Sequence, residues 1–336
     1  MSIEQLESIA QAMVAPGKGI IAIDESSGTI KKRFDVVGID NSEENRRAYR
    51  ELLLTAPGLA DHISGAILYD ETLRQSTRAG KPFTEVMRAA GILPGIKVDM
   101  GPQPLAGFPG EVVTEGLDGL RQRLAEYAGL GARFAKWRAV IHIGEDTPSS
   151  TCIEANNHAL ARYAALCQEA GLVPVVEPEV LMDGDHDIDV CYEVTEAVLR
   201  SLFASLYEHN VMLEGSILKA SMVIAGKDCD EQAGVEEVAD ATVRCLKATV
   251  PALLPGIVFL SGGQSDEQAT AHLNAMNQLG PHPWPLSFSY GRAMQQAALK
   301  LWAKDMQGNF TAAQKTVAQR ARANGLAALG QWTRGA

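Results

Sequence analysis

Charged side chains stand in this sequence where a buried strand would carry only apolar ones. The run GIIAI (19–23) leads directly into Asp24, and GIKV (95–98) holds Lys97. RFAKWR (133–138) holds Lys136 and Arg138, VPVVEPE (173–179) ends on Glu177 and Glu179, and VMLEGSILK (211–219) ends on Lys219. Charged groups are seldom buried unless they are paired or functional. Side chains alternate between the two faces of a strand, so Phe134, Lys136 and Arg138 share one face, as do Glu177 and Glu179. If those faces point inward, lysines from three runs meet carboxylates from two others at one place.

Such a cluster suits amine chemistry on a carbonyl. A lysine titrates near ~10.4 in water and is not nucleophilic while protonated. Desolvation and a neighbouring cation both favour its neutral form. The neutral amine attacks a ketone to form a Schiff base, whose protonated imine draws electrons from the adjacent carbon. Carboxylates nearby can carry the protons. Two turns add capacity for anions: Ser261-Gly262-Gly263 follows the seventh apolar run, and Ser289-Tyr290-Gly291-Arg292 opens a helical pattern after the eighth. Glycine lets backbone N–H groups approach an anion closely, and a helix N-terminus favours negative charge. Ser26, Ser27, Gly28 and Arg33 offer a second anion site near the first run.

The elements that must position these residues repeat in one form: a short apolar run, a polar turn, then a longer amphipathic stretch. The eight runs are 19–23, 65–69, 95–98, 133–137, 173–177, part of 211–219, 256–260 and 285–289. They are apolar on both faces, as strands of a buried parallel sheet are. Apolar residues recur at helical spacing over 43–56, 115–131, 152–171, 188–210, 235–250, 265–279 and 291–306. Gly131, Gly171 and Asn210 read as helix C-caps. Eight alternations predict an α/β protein of the TIM type, a (β/α)8 barrel whose C-terminal mouth carries the chemistry. The alternative, a doubly wound open sheet, would normally show a G-x-G-x-x-G turn after its first strand, and none is present. The 336 residues then form a single barrel domain over 1–336, with an N-terminal helix and a short C-terminal tail.

Composition removes several functions. A net charge of −11 argues against a nucleic-acid partner, which needs a basic footprint. No apolar run approaches the ~18 residues of a membrane span. The N-terminus lacks the basic and apolar regions of a secretory signal. Five cysteines without a C-x-x-C pair read as reduced, mostly buried thiols in a cytoplasmic setting. No metal is expected. DGDHDID (183–189) alternates aspartates like a calcium loop, but Ile188 and Val194 replace the required glycine and acidic residue. It reads as a polar loop and helix start. The seven histidines form no ligand motif.

With these residues assembled, the sequence resembles class I, Schiff-base fructose-1,6-bisphosphate aldolases. The matching segments are AIDESSG (22–28), GIKVD (95–99), FAKWR (134–138), VEPE (176–179) with DGDHD (183–187), LEGSILK (213–219), FLSGGQS (259–265) and FSYGRA (288–293). The likeness covers about residues 5 to 330.

The resemblance implies that Lys219 attacks the C2 carbonyl and that Glu177 is the acid/base of imine formation and of the cleavage between C3 and C4. It implies that Asp24 acts at the C4 hydroxyl, while Glu179 and Lys136 tune Lys219 and transfer protons. Lys97 and Arg138, aided by Ser26 and Arg33, would bind the sugar and the phosphate at its aldehyde end. Ser261, Gly262, Ser289, Gly291 and Arg292 would hold the C1 phosphate. It further implies a metal-independent enzyme without a cofactor, acting on a phosphosugar in glycolysis and gluconeogenesis as a homo-oligomer, a tetramer or else a dimer. Sedoheptulose 1,7-bisphosphate and fructose 1-phosphate are alternative substrates. Animal-type members end in a longer tail with a tyrosine that assists proton exchange. This sequence has no tyrosine after Tyr290, so either water or a resident carboxylate is expected to take that role, or the exchange is expected to be slower.

Overall fold

The computed structural model describes residues 3–334. In chain order the strands are β1 (Gly19–Ile23), β2 (Ile63–Leu68), β3 (Leu93–Lys97), β4 (Pro102–Pro104), β5 (Val112–Thr114), β6 (Phe134–Ile141), β7 (Val173–Val180), β8 (Ile217–Ala220), β9 (Ile257–Phe259) and β10 (Leu286–Tyr290). Eight of them close a barrel in the order β1-β10-β9-β8-β7-β6-β3-β2, with every neighbouring pair parallel. The TIM barrel expected from the alternation of runs is therefore the observed fold. β4 and β5 form a separate antiparallel hairpin in the excursion between β3 and β6.

The strand faces are settled by their apolar neighbours. Phe134, Val173, Val175, Ile217, Ile20, Ile67 and Val258 form one buried cluster in the barrel interior. Phe134 belongs to it, so Lys136 and Arg138, two and four residues further on, point the same way. Gly95 on β3 makes room for that ring. A Cβ there would sit 2.2 Å from Phe134 Cζ, closer than any real contact. The helix Ile3–Met13 closes the bottom of the barrel, adding Leu6, Ala10 and Met13 to the same cluster. The larger cluster lies between the strands and the surrounding helices.

Capping side chains fix where the helices begin. Ser26 accepts from Thr29 N to start Ser27–Val37, Ser149 from Cys152 N to start Ser150–Glu169, and Ser265 pairs reciprocally with Gln268 at Asp266–Gln278. The left-handed φ values of Gly131, Gly171 and Asn210 place each just past a helix, as expected. The stretch predicted as helical over 115–131 starts later, at Leu120. Gly116, at φ 130°, is outside helical geometry, and a Cβ there would sit 2.9 Å from Met100 N. β6 and β7 also run further than their apolar runs, paired with each other as far as Ile141 and Val180.

Candidate active site

Four strands bring the predicted charges into one chain of ion pairs at the C-terminal mouth. Asp24 follows β1, Lys136 lies on β6, Glu177 on β7 and Lys219 on β8. Lys136 Nζ is 3.0 Å from Asp24 Oδ2 and 2.8 Å from Glu177 Oε2. The other oxygen of Glu177 is 3.0 Å from Lys219 Nζ. Lys136, Glu177 and Lys219 are each no more than 4% exposed. Thus the cation expected beside Lys219 is present, but a shared carboxylate stands between the two ammonium groups.

Lys136 and the two carboxylates it touches favour one another's charged forms. Burial pushes the Asp24 carboxyl up, but Lys136, Lys219 and Lys97 outweigh it and hold the group well below the carboxylate range. Burial acts on Glu177 in the same sense and is outweighed by Lys136, Lys219 and Arg138. Burial alone would lower Lys136, yet Asp24, Glu177 and Asp99 raise it above an ordinary lysine.

The remaining predicted residues line the same cavity, of about 550 Å³. That volume suits a small phosphorylated metabolite. On one side stand Ser261 and Gly262, after β9, with Ser289, Gly291 and Arg292 around the end of β10. Arg292 Nη2 donates to Gly262 O and so ties the two turns together. The Ser289 hydroxyl is enclosed and has no hydrogen-bond partner. Gly291 precedes the helix Arg292–Lys304, whose first N–H groups are available to an anion. Across the cavity, Lys97 Nζ lies 3.3 Å from Asp99 Oδ1. Ser26 is engaged as a helix cap, its Oγ also 3.1 Å from Thr29 Oγ1.

Two of these residues also have ionic partners of their own: Glu179 pairs with Arg138, and Arg33 with Glu25. Two site residues went unnoticed in the sequence. Asp99 accepts from the backbone N of Arg138 at 3.2 Å while pairing with Lys97, so it anchors both strands. Its signal was available, since it lies two residues beyond Lys97. Glu25 is buried beside Asp24, where strand alternation has ended and gives no hint of direction.

The decoy loop is a helix start: Asp187 accepts from Val190 N at 2.8 Å, and Asp183 pairs with Lys227. Four cysteines are buried and Cys229 is partly so; all five are free thiols. Among the described residues, no group of three or more His, Cys, Asp or Glu side chains is arranged to hold a metal ion, and no helix is long and apolar enough to cross a membrane.

A barrel mouth with a buried lysine–carboxylate chain between two anion-accepting walls defines an enzyme equipped for amine–carbonyl chemistry on a phosphorylated substrate. Comparison with known proteins agrees. The profile of the class-I fructose-bisphosphate aldolases matches residues 5–336. A "Probable fructose-bisphosphate aldolase class 1" of Xanthomonas axonopodis pv. citri is 77% identical over 332 residues, 99% of each chain. The cytosolic fructose-bisphosphate aldolase 4 of Arabidopsis thaliana is 55% identical, covering 98% of this chain and 84% of its own. A solved fructose-bisphosphate aldolase from Plasmodium falciparum, in complex with TRAP and a small-molecule inhibitor, superposes with a TM-score of 0.97. It is 49% identical, covering 99% of this chain and 96% of its own.

The chain belongs to the class I fructose-bisphosphate aldolase family. Its reaction is the reversible cleavage of fructose 1,6-bisphosphate to dihydroxyacetone phosphate and glyceraldehyde 3-phosphate, a lyase reaction (EC 4.1.2.13) of glycolysis. By family it proceeds through a Schiff base and is metal-independent.

Proposed function

We propose that Lys219 is the Schiff-base lysine and that Asp24, Lys136 and Glu177 run the aldol chemistry around it, with Glu179 in support. The observation that carries this reading is the 3.0 Å contact of Lys219 Nζ with Glu177 inside the cavity. A proton passed along that contact leaves a neutral amine and a carboxylic acid. The amine attacks C2 of the sugar, and Glu177 returns a proton to the departing oxygen, so water leaves and a protonated imine remains. Asp24 takes the C4 hydroxyl proton. The C3–C4 bond breaks, its electron pair is delocalised into the imine, and glyceraldehyde 3-phosphate departs. Protonation at C3 and hydrolysis release dihydroxyacetone phosphate and restore Lys219. Lys136 balances the charge of Asp24 and Glu177 as protons move.

In this reading Ser261, Gly262, Ser289, Gly291 and Arg292 hold the C1 phosphate. Lys97, Arg138, Ser26 and Arg33 hold the other end, and Glu179 orients Arg138. No residue is assigned to a metal. Fructose 1-phosphate and sedoheptulose 1,7-bisphosphate are further substrates for the same arrangement. We place the enzyme in the cytoplasm, as one barrel domain per chain in a homotetramer.

Replacing the nucleophile tests the reading. Lys219→Arg keeps the charge and is expected to lower fructose 1,6-bisphosphate cleavage by at least about 1,000-fold. Cleavage by the unaltered protein should survive EDTA. An Lys219→Arg variant that retains activity, or inactivation by EDTA, contradicts the mechanism.

A further inference from the structure

Glu25 joins three helices through one buried carboxylate. It is 7% exposed and directly follows Asp24. Its Oε1 accepts from Arg33 Nη1 and, at 2.7 Å, from Gln295 Nε2. Its Oε2 is 2.7 Å from Arg50 Nη2. Arg33 comes from the helix Ser27–Val37, Arg50 from Glu43–Leu54 and Gln295 from Arg292–Lys304, whose start carries the second anion turn. Gln295 is fixed in its own right: it donates to Ala22 O at 2.8 Å and accepts from Tyr49 Oη at 3.0 Å.

The two guanidinium groups differ in a way that suggests a division of labour. Arg50 is 2% exposed and does not line the cavity, whereas Arg33 does, with 23% of its side chain exposed. Two cations brought together without Glu25 would repel, and Arg50 would be left as an uncompensated buried charge. With Glu25 present, Arg33 is tethered through one nitrogen, and its remaining donors are left for an anion. Tethering also removes rotamer freedom that a ligand would otherwise have to freeze on binding.

We propose that Glu25 is a positioning residue that presents Arg33 to the phosphate at the aldehyde end of the sugar, with Arg50 as its fixed counter-charge. This rests on the assignment of Arg33 to that phosphate made above. The role is selective, because fructose 1-phosphate has no phosphate at that end.

The test compares KM and kcat for fructose 1,6-bisphosphate and fructose 1-phosphate in Glu25→Gln, Arg33→Ala and the double variant. Glu25→Gln is expected to raise KM for the bisphosphate about tenfold, and at least about five times more than for the monophosphate. Added to Arg33→Ala, it should change KM by no more than about twofold, because both act on one contact. Equal changes for the two substrates, or multiplying effects in the double variant, would overturn the proposal and mark Glu25 as structural only. An Arg33→Ala variant that affects both substrates equally refutes the phosphate assignment itself. A selective Arg33→Ala with an unselective Glu25→Gln refutes only the role of Glu25. If Glu25→Gln does not fold, Glu25→Asp, which keeps the charge but shortens its reach, carries the same comparison with the same deciding outcomes.

Discussion

Lys136 shows how much of the site depends on one ammonium group. It pairs with Asp24 and Glu177 at once, and its side chain is 5% exposed. Removing one partner from a buried ionic cluster costs about 3–5 kcal/mol, since the others remain desolvated. Lys136→Met should therefore lower thermal stability and reduce kcat by about 100-fold or more. Adding Glu177→Gln to it should cost less than the sum of the single changes, measured as a double-mutant cycle.

The pH dependence of that cost has a definite sign. Asp24 and Glu177 sit below their ordinary values of 3.8 and 4.5 in the folded protein, so their contribution is complete above those values and fades on acidification. Lys136 is raised above 10.5, so its contribution is complete below that pH and fades only in alkali. The difference in Tm between Lys136→Met and the unaltered chain should be flat from about pH 6 to 9 and shrink below about pH 4. A difference that grows in acid would contradict the ionic account.

At the level of elements, the anion turn after β9 leans on a buried histidine. His272, 3% exposed on the helix Asp266–Gln278, has its Nδ1 2.6 Å from Gln264 Oε1, and Gln264 N donates to Ser261 O. Burial lowers His272 from 6.5 to about 4, so it stays neutral in the fold but takes up a proton on unfolding below pH 6.5. Stability should fall between those pH values by roughly 3 kcal/mol, and His272→Gln should flatten that limb of the Tm profile.

Barrel closure makes a second demand at this level. Gly95→Ala would drive a Cβ into Phe134 and should destabilise by about 1–3 kcal/mol, with partial rescue by Phe134→Leu. Failure of rescue would place the strain elsewhere.

The strands and the mouth charges were legible because period-two alternation fixes direction: Phe134 declares the face of Lys136 and Arg138. Pairing was not legible. Glu179 and Lys219 come from neighbouring strands, yet Arg138 takes Glu179. The β4–β5 hairpin was invisible because Pro-Gln-Pro and Val-Val-Thr are too short to show a period. Glu25 lay beyond a strand end, where no alternation applies.

At the scale of the molecule, the charge distribution separates site from surface. The proposed site collects Arg33, Lys97, Lys136, Arg138, Lys219 and Arg292 against Asp24, Glu25, Asp99, Glu177 and Glu179, within a chain of net charge −11. The acidic excess therefore lies outside this set, where it serves solubility. The two ends of the barrel are unlike: charges fill the C-terminal mouth, while the helix Ile3–Met13 seals an apolar floor. Deleting residues 1–14 would expose that floor. It should lower stability by roughly 3–6 kcal/mol, from the loss of Leu6 and Met13 burial, and promote aggregation detectable by light scattering. An unchanged Tm would show that the barrel closes without its plug.

In the proposed reaction Lys219 forms the covalent bond. Borohydride reduction in the presence of dihydroxyacetone phosphate, followed by peptide mapping, tests it most directly. One stable adduct per chain is expected on the peptide containing Lys219, with activity lost in step. No adduct, or an adduct on Lys136, Lys97 or any other lysine, would contradict it.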